Sequence, residues 1–210
     1  MPDKNRTGMH NDRLTNVNSQ YLLEKFADST GFPIKSIATV NLVNFVYVHD
    51  NTILIRPGDT DYNIYFILEG FGGIYGVTDS DDRKYMYLQK ESRIMCSLAT
   101  LAYGKPAAYY YEIQRGGKLA VIDDRQLSAA ACTDPDISLW YTGIMKRALA
   151  RFEKRIQDFV MKDTRSRLLE LYSQSPEIFT EAMHKQIASF LGITPGHLSR
   201  LLSSKSAGPR

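Results

Sequence analysis

The chain has 210 residues, 26 Lys and Arg against 23 Asp and Glu, a net charge of +3 and 43% hydrophobic residues, which excludes a disordered chain and allows one large or two small cores. No apolar run approaches the ~18–20 residues of a membrane span, and the start Met1-Pro2-Asp3-Lys4-Asn5-Arg6 lacks the apolar core of a secretory signal. Two cysteines, Cys96 and Cys132, cannot form a disulfide framework or by themselves ligate a four-cysteine iron–sulfur cluster, so a soluble, cytoplasmic chain without a membrane partner is expected.

In chain order, residues 1–19 are polar and aperiodic and predict a mobile tail. Tyr21-Leu22-Leu23-Glu24-Lys25-Phe26 has helical spacing and starts the fold. Short runs rich in Val, Ile, Tyr and Phe then alternate with turn signals: 45–48, 52–55, 64–68, 73–77, 85–88, 109–113 and 119–122. Many short strands at near-regular spacing predict a sandwich or barrel over 20–133. From Asp136 the period becomes helical, with Ile137, Tyr141, Ile144, Ala148, Phe152, Ile156 and Phe159 three or four residues apart. Asp134 or Asp136 can cap this helix, which at 137–160 is about 36 Å long. Its apolar stripe can pack on the β domain or on the same helix of a second chain, with the basic residues between as a solvated face. A short helix at 165–172 follows, ending before Ser175-Pro176.

The most specific signal is the run from His184 to Leu202. Ile187 and Leu191 share one helix face, and Ala188 lets a second helix cross closely. Gly192 falls where the helix must stop with positive φ; Ile193 plugs the corner, Thr194 suits an N-cap and Pro195 the next position. Leu198, Leu201 and Leu202 form the buried face of a second helix. Gly196, His197, Ser199 and Arg200 then point elsewhere, and with Thr194 and Pro195 form the candidate DNA-reading set. This order meets each requirement of a helix-turn-helix, whose second helix lies in the major groove of double-stranded DNA. Arg200 reaches guanine or phosphate; His197 and Ser199 can donate to either. Charge agrees: residues 134–210 carry 12 Lys and Arg against 8 Asp and Glu, whereas residues 1–133 carry 14 against 15.

A β-rich first half, a long helix and a C-terminal helix-turn-helix resemble the Crp/Fnr superfamily of bacterial transcription regulators. The pieces that carry the likeness are Ile53-Leu54-Ile55-Arg56-Pro57-Gly58-Asp59, Ile64-Tyr65-Phe66-Ile67-Leu68-Glu69-Gly70 and Leu191-Gly192-Ile193-Thr194-Pro195 with Leu198-Ser199-Arg200. The resemblance implies an α+β fold: a jelly-roll-like, cyclic-nucleotide-binding-like β-roll at 20–133, a dimerisation helix at 134–161 and a DNA-binding domain at 162–205, with a tail at 206–210. It implies a homodimer on a near-palindromic operator, with a small-molecule effector and RNA polymerase as further partners. Nucleotide-binding members carry a Gly-Glu-Leu turn whose Glu holds the ribose, and an Arg, followed by a small hydroxyl residue, that holds the cyclic phosphate. Here the matching stretches are Cys96-Ser97-Leu98 and Pro106-Ala107-Ala108-Tyr109, so Ser97 replaces the Glu, Ala107 the Arg and Ala108 the hydroxyl residue. An anion entering a buried pocket needs charge compensation that alanine lacks, so tight binding of cyclic AMP or cyclic GMP is not expected. Arg93 is a candidate replacement cation. Iron–sulfur members carry several cysteines near the N-terminus, and none precedes Cys96 here. The family's β-wing is expected to be missing, or to come from elsewhere, because eight residues follow Leu202.

The tyrosines at 103, 109, 110 and 111 lie near the pocket, as lining for a planar or apolar effector or as strand residues alternating between core and surface. Cys96 reads as a buried inert thiol. The four histidines, His10, His49, His184 and His197, have no metal-ligand spacing, and neither a cofactor nor a metal is expected. Two alternatives remain. An interaction module without DNA binding is suggested by Gly196 inside a helix and by the missing wing. A cupin-like metal-dependent enzyme needs a His/Glu cluster on strands, where only His49 falls.

Overall fold

The computed structural model describes residues 14–16, 20–35, 37–90 and 93–205; for residues 14, 15, 37, 38, 204 and 205 it describes the backbone alone. The chain runs β1 (Leu14–Asn16), α1 (Gln20–Thr30), α2 (Ile37–Val40), β2 (Asn44–Val48), β3 (Thr52–Ile55), β4 (Asn63–Glu69), β5 (Gly72–Val77), β6 (Arg83–Gln89) and β7 (Ile94–Met95). It continues with α3 (Leu98–Tyr103), β8 (Tyr110–Ile113), β9 (Lys118–Asp123), α4 (Asp124–Ala131), α5 (Pro135–Met161), α6 (Thr164–Gln174), α7 (Ile178–Glu181), α8 (His184–Leu191) and α9 (Pro195–Lys205).

Two antiparallel sheets, β1-β2-β9-β4-β7 and β3-β8-β5-β6, form the roll. All seven strands expected from the sequence are present. The expected tail is corrected at one place: Leu14–Asn16 pairs with Val46–Val48 as an edge strand. A three-residue edge strand is held by its partner's ladder and needs no apolar alternation of its own. The rest of that expected tail, and the expected tail at 206–210, lie outside the described residues.

β4 is buried on both faces, and its alternation assigns each face to a layer. Tyr65 and Ile67 point between the sheets with Val48, Ile55, Ile113 and Leu119. Ile64, Phe66 and Leu68 point outward into a second core with α1 and α5. There Phe26, Phe32, Phe66 and Trp140 pack ring against ring at 4.9–6.1 Å, and Trp140 Nε1 donates to the Thr30 carbonyl at 3.0 Å. Gly70 closes the turn after β4 at φ +98°; a Cβ there would stand 3.0 Å from Gly117 Cα, so this backbone crossing takes glycine.

α5 has 27 residues and spans about 40 Å. Asp134 caps it, accepting from the Asp136 and Ile137 amides at 2.9 and 3.2 Å, with Pro135 in the first turn. Among the described residues, no helix is long and apolar enough to cross a membrane.

Candidate nucleic-acid interface and effector cavity

The helix-turn-helix is α8 and α9. Gly192 ends α8 in the left-handed region at φ +74°, and its amide donates to the Ser189 carbonyl at 3.0 Å. Thr194 caps α9: its Oγ1 accepts from the His197 amide at 3.2 Å. Ile187, Ala188, Leu191 and Leu198 are buried in the joint between the two helices. Thr194, Pro195, Gly196, Ser199 and Arg200 are exposed, and His197 is half-buried. The six candidate DNA-reading residues therefore occupy the first turn and a half of α9, with the apolar positions turned inward.

The same unit rests on the outer face of β6 within its own chain, a contact that sequence reading missed. Phe71, Tyr75, Tyr85 and Leu88 of the roll form one core with Ile187, Ala188 and Leu191 of α8. Gln186 is the polar centre of the joint. Its Oε1 accepts from the Met183 amide at 2.8 Å, and its Nε2 donates to Tyr85 Oη at 3.1 Å and Glu112 Oε1 at 3.2 Å. Tyr85 Oη donates to Glu112 at 2.6 Å. Ser189 Oγ accepts from the Tyr85 amide at 2.9 Å and donates to the Arg83 carbonyl at 3.0 Å. Burial, with Glu112 beside it, pushes the Tyr85 phenol up to about 12. Tyr75 falls in the expected strand run 73–77; alternation shows which face it takes and not what covers that face.

Two arginines close the C-terminal end of α8, where carbonyls lack helical partners. Arg155 of α5 donates from Nη2 to the Phe190 carbonyl at 2.5 Å and from Nε to the Met86 carbonyl at 3.1 Å, and stacks on the Phe190 ring at 3.7 Å. Burial brings its guanidinium down to about 10. Arg167 of α6 donates to the Leu191 carbonyl at 3.1 Å. The solvated-face expectation for the basic residues of α5 is thus corrected at Arg155: its long stem reaches under α8 and covers apolar surface.

The apolar stripe of α5 divides in two. Ile137, Ile144 and Ala148 are buried with Trp140 in the core shared with α1 and β4, and the Tyr141 hydroxyl is hydrogen-bonded to Asp124. Ile137, Ile144 and Ala148 are corrected as expected dimer residues, because their own chain already covers them, while Tyr141 is half-buried. A 3.6-residue period records which positions are buried and not which molecule buries them. Phe152, Ile156 and Phe159 are exposed by 41%, 64% and 42%, joined by Leu149 at 68% and Val160 at 74%.

A cavity of about 290 Å³ lies between the roll and α5. Tyr87 of β6, Tyr111 of β8, Cys96 and Ser97 before α3, and Arg151 and Phe152 of α5 line it. Of the expected pocket residues, Ser97, Ala108 and Tyr109 line this cavity. Ala107 does not: it is buried behind, its amide donating to the Asp59 carbonyl at 2.8 Å. Arg93 does not either; it is exposed on the turn before β7, which a sequence position beside Ser92 cannot reveal. The cation that does line the cavity is Arg151, hidden in the sequence among the other basic residues of α5. Ser97 Oγ is occupied as the cap of α3, accepting from Thr100 Oγ1 at 2.8 Å. Burial pushes the Cys96 thiol up to about 12, as an inert thiol requires. Of the tyrosines at 103–111, Tyr110 turns away to stack on Tyr75, and Tyr103 is 77% exposed. Among the described residues, no group of three or more His, Cys, Asp or Glu converges as metal ligands would.

No family model matches the sequence, and no curated protein matches it. Solved structures do match. A CooA mutant from Carboxydothermus hydrogenoformans aligns at TM-score 0.64 and 18% identity over 93% of this chain and 87% of that one. The c-di-GMP responsive global regulator CLP of Xanthomonas campestris aligns at 0.59 and 16% over 90% and 92%. A cyclic nucleotide-binding domain from Methylobacillus flagellatus aligns at 0.58 and 13% over 71% and 89%. The chain has their fold: a cyclic-nucleotide-binding-type β-roll followed by a long helix and C-terminal helices.

Proposed function

We propose that this chain is a transcription regulator of the Crp/Fnr type, acting in the cytoplasm as a homodimer on a near-palindromic DNA operator, with no catalytic activity of its own. The observation that carries the proposal is α9. Its first turns expose Thr194, Pro195, Gly196, Ser199 and Arg200 together, on a helix pair fixed to the long helix by Arg155 and to α6 by Arg167. A second copy covers the apolar seam that α5 leaves exposed: Leu149, Phe152, Ile156 and Phe159 follow the three–four spacing of a paired-helix contact. Pairing there sets two α9 helices for half-sites one DNA turn, about 34 Å, apart. RNA polymerase and a small-molecule effector of the roll are its further partners, and cyclic AMP is not that effector.

Selection from a random duplex library tests the proposal. The wild-type chain is expected to enrich a two-fold symmetric sequence. Arg200→Ala is expected to lose about 1–3 kcal/mol on that sequence and to relax one position of each half-site. Absence of any enriched sequence leaves an interaction module without DNA binding, and contradicts the proposal.

A further inference from the structure

The cavity between the roll and α5 has a polar inventory that narrows the ligand it can take. Among the described residues, Arg151 is the one charged side chain that lines it. Arg151 makes no ion pair with any described carboxylate. Its neighbours in charge are Arg93 and Arg147, both cations, and with burial they hold its guanidinium below the ordinary arginine range. A half-buried cation among like charges is the arrangement that an incoming anion relieves. Met86, Leu98 and Phe152 supply an apolar side, with Tyr87 set edge-on against Phe152 at 5.3 Å, while Gln89 and Tyr111 bring neutral polar groups. Ser97 Oγ accepts from the Thr100 hydroxyl at 2.8 Å, and Ala108 brings neither charge nor hydroxyl to the wall.

We infer that this cavity binds a small amphipathic carboxylate, an aromatic or branched apolar body bearing one acid group, with the carboxylate paired to Arg151 and the body against Tyr87, Met86 and Phe152. The inference rests on the effector site of the proposed regulator and names its ligand class. Carboxylate and guanidinium match as a planar fork, and the side formed by Met86, Leu98 and Phe152 suits an apolar body. At about 290 Å³ the cavity stands at the low end of the ~300–1,000 Å³ range of ligand pockets, a size for one ring and its acid arm. The ligand would also bridge β6 and α5. Arg151 is one helical turn before Arg155, and Tyr87 is next to Met86, whose carbonyl Arg155 holds. Occupancy would therefore be felt where α5, β6 and α8 meet.

The test is calorimetric and thermal-shift titration of the full chain, without DNA, by phenylacetate and 3-phenylpropionate, with phenylacetamide and cyclic AMP as comparators. Both carboxylates are expected to bind and raise Tm. The neutral amide and Arg151→Gln are each expected to weaken binding about ten- to hundredfold, and Arg151→Lys to retain part of it. Lys146→Gln, an exposed change on the same helix, is expected to bind as wild type. Equal binding of amide and carboxylate overturns the inference. So does unchanged affinity in a folded Arg151→Gln chain, or no binding of either carboxylate at about 1 mM. Because no DNA is present, carboxylate binding by a chain that selects no operator overturns only the regulator proposal. An operator selected by a chain that binds no carboxylate overturns only this inference.

Discussion

Replacing Arg155 by alanine is expected to loosen α8 from the long helix. The side chain makes two hydrogen bonds from a charged donor, at 2.5 Å to the Phe190 carbonyl and 3.1 Å to the Met86 carbonyl, each worth about 1.5–3 kcal/mol before costs. Stacking at 3.7 Å on Phe190 and 4.3 Å on Phe159 adds roughly 0.5–2 kcal/mol. Against this stands the dehydration of the guanidinium, visible in its descent to about 10. The balance is a loss of about 2–4 kcal/mol, because alanine also leaves the Phe190 carbonyl unmatched at the end of α8. In a chain of this size that lowers Tm by roughly 4–16 °C. Hydrogen exchange localises the effect: amides of α8 should exchange faster while those of β4, buried on both faces, keep their protection. A change below about 0.5 kcal/mol, the size of an ordinary surface substitution, would refute the assignment of Arg155 as the tie between these elements.

Ile156→Glu puts a charge on the exposed seam of α5 and should halve the molar mass in sedimentation; a variant that stays dimeric moves the interface elsewhere. Gly192→Ala forces a left-handed residue at φ +74° and sets a Cβ 3.1 Å from Phe159, so chemical unfolding should show a loss of about 1–2 kcal/mol, and a neutral result contradicts the turn geometry. Stability should also fall in alkali. Burial raises the phenols of Tyr65, Tyr85, Tyr111 and Tyr141, so their contribution is complete below pH 10, where unfolded tyrosines stay protonated, and is lost as pH rises through the folded values. Tyr85 alone, near 12, accounts for roughly 2–3 kcal/mol, and a urea midpoint flat from pH 9 to 12 would contradict this.

Period and turn chemistry made most of the architecture legible. The apolar run from Ile64 to Leu68 and the Gly192-Ile193-Thr194-Pro195 corner each have a local physical cause, and each appears where expected. What was hidden depends on distant partners. α4 has no apolar stripe long enough to announce it, and β7 is two residues supported by β4. Ile137, Ile144 and Ala148 looked intermolecular because burial by α1 and β4 leaves the same spacing as burial by a second chain. Arg151 and Arg155 looked alike as surface charges, yet one turn of helix separates the side chain that lines the cavity from the one that holds α8. Arg93 stood nearer the pocket in sequence and is farther from its chemistry, because the turn before β7 carries it outward.

The most direct test of the regulator proposal is the spacing requirement of its operator. Two α9 helices fixed by one α5 pair must meet half-sites on the same face of the DNA, about 10 base pairs apart centre to centre. Inserting five base pairs between the half-sites turns one of them to the opposite face. The expected result is a fall of about a hundredfold or more in affinity, with ten inserted base pairs restoring the face but not the distance. Equal binding to the parent and five-pair duplexes would contradict a rigid dimer reading DNA through α9.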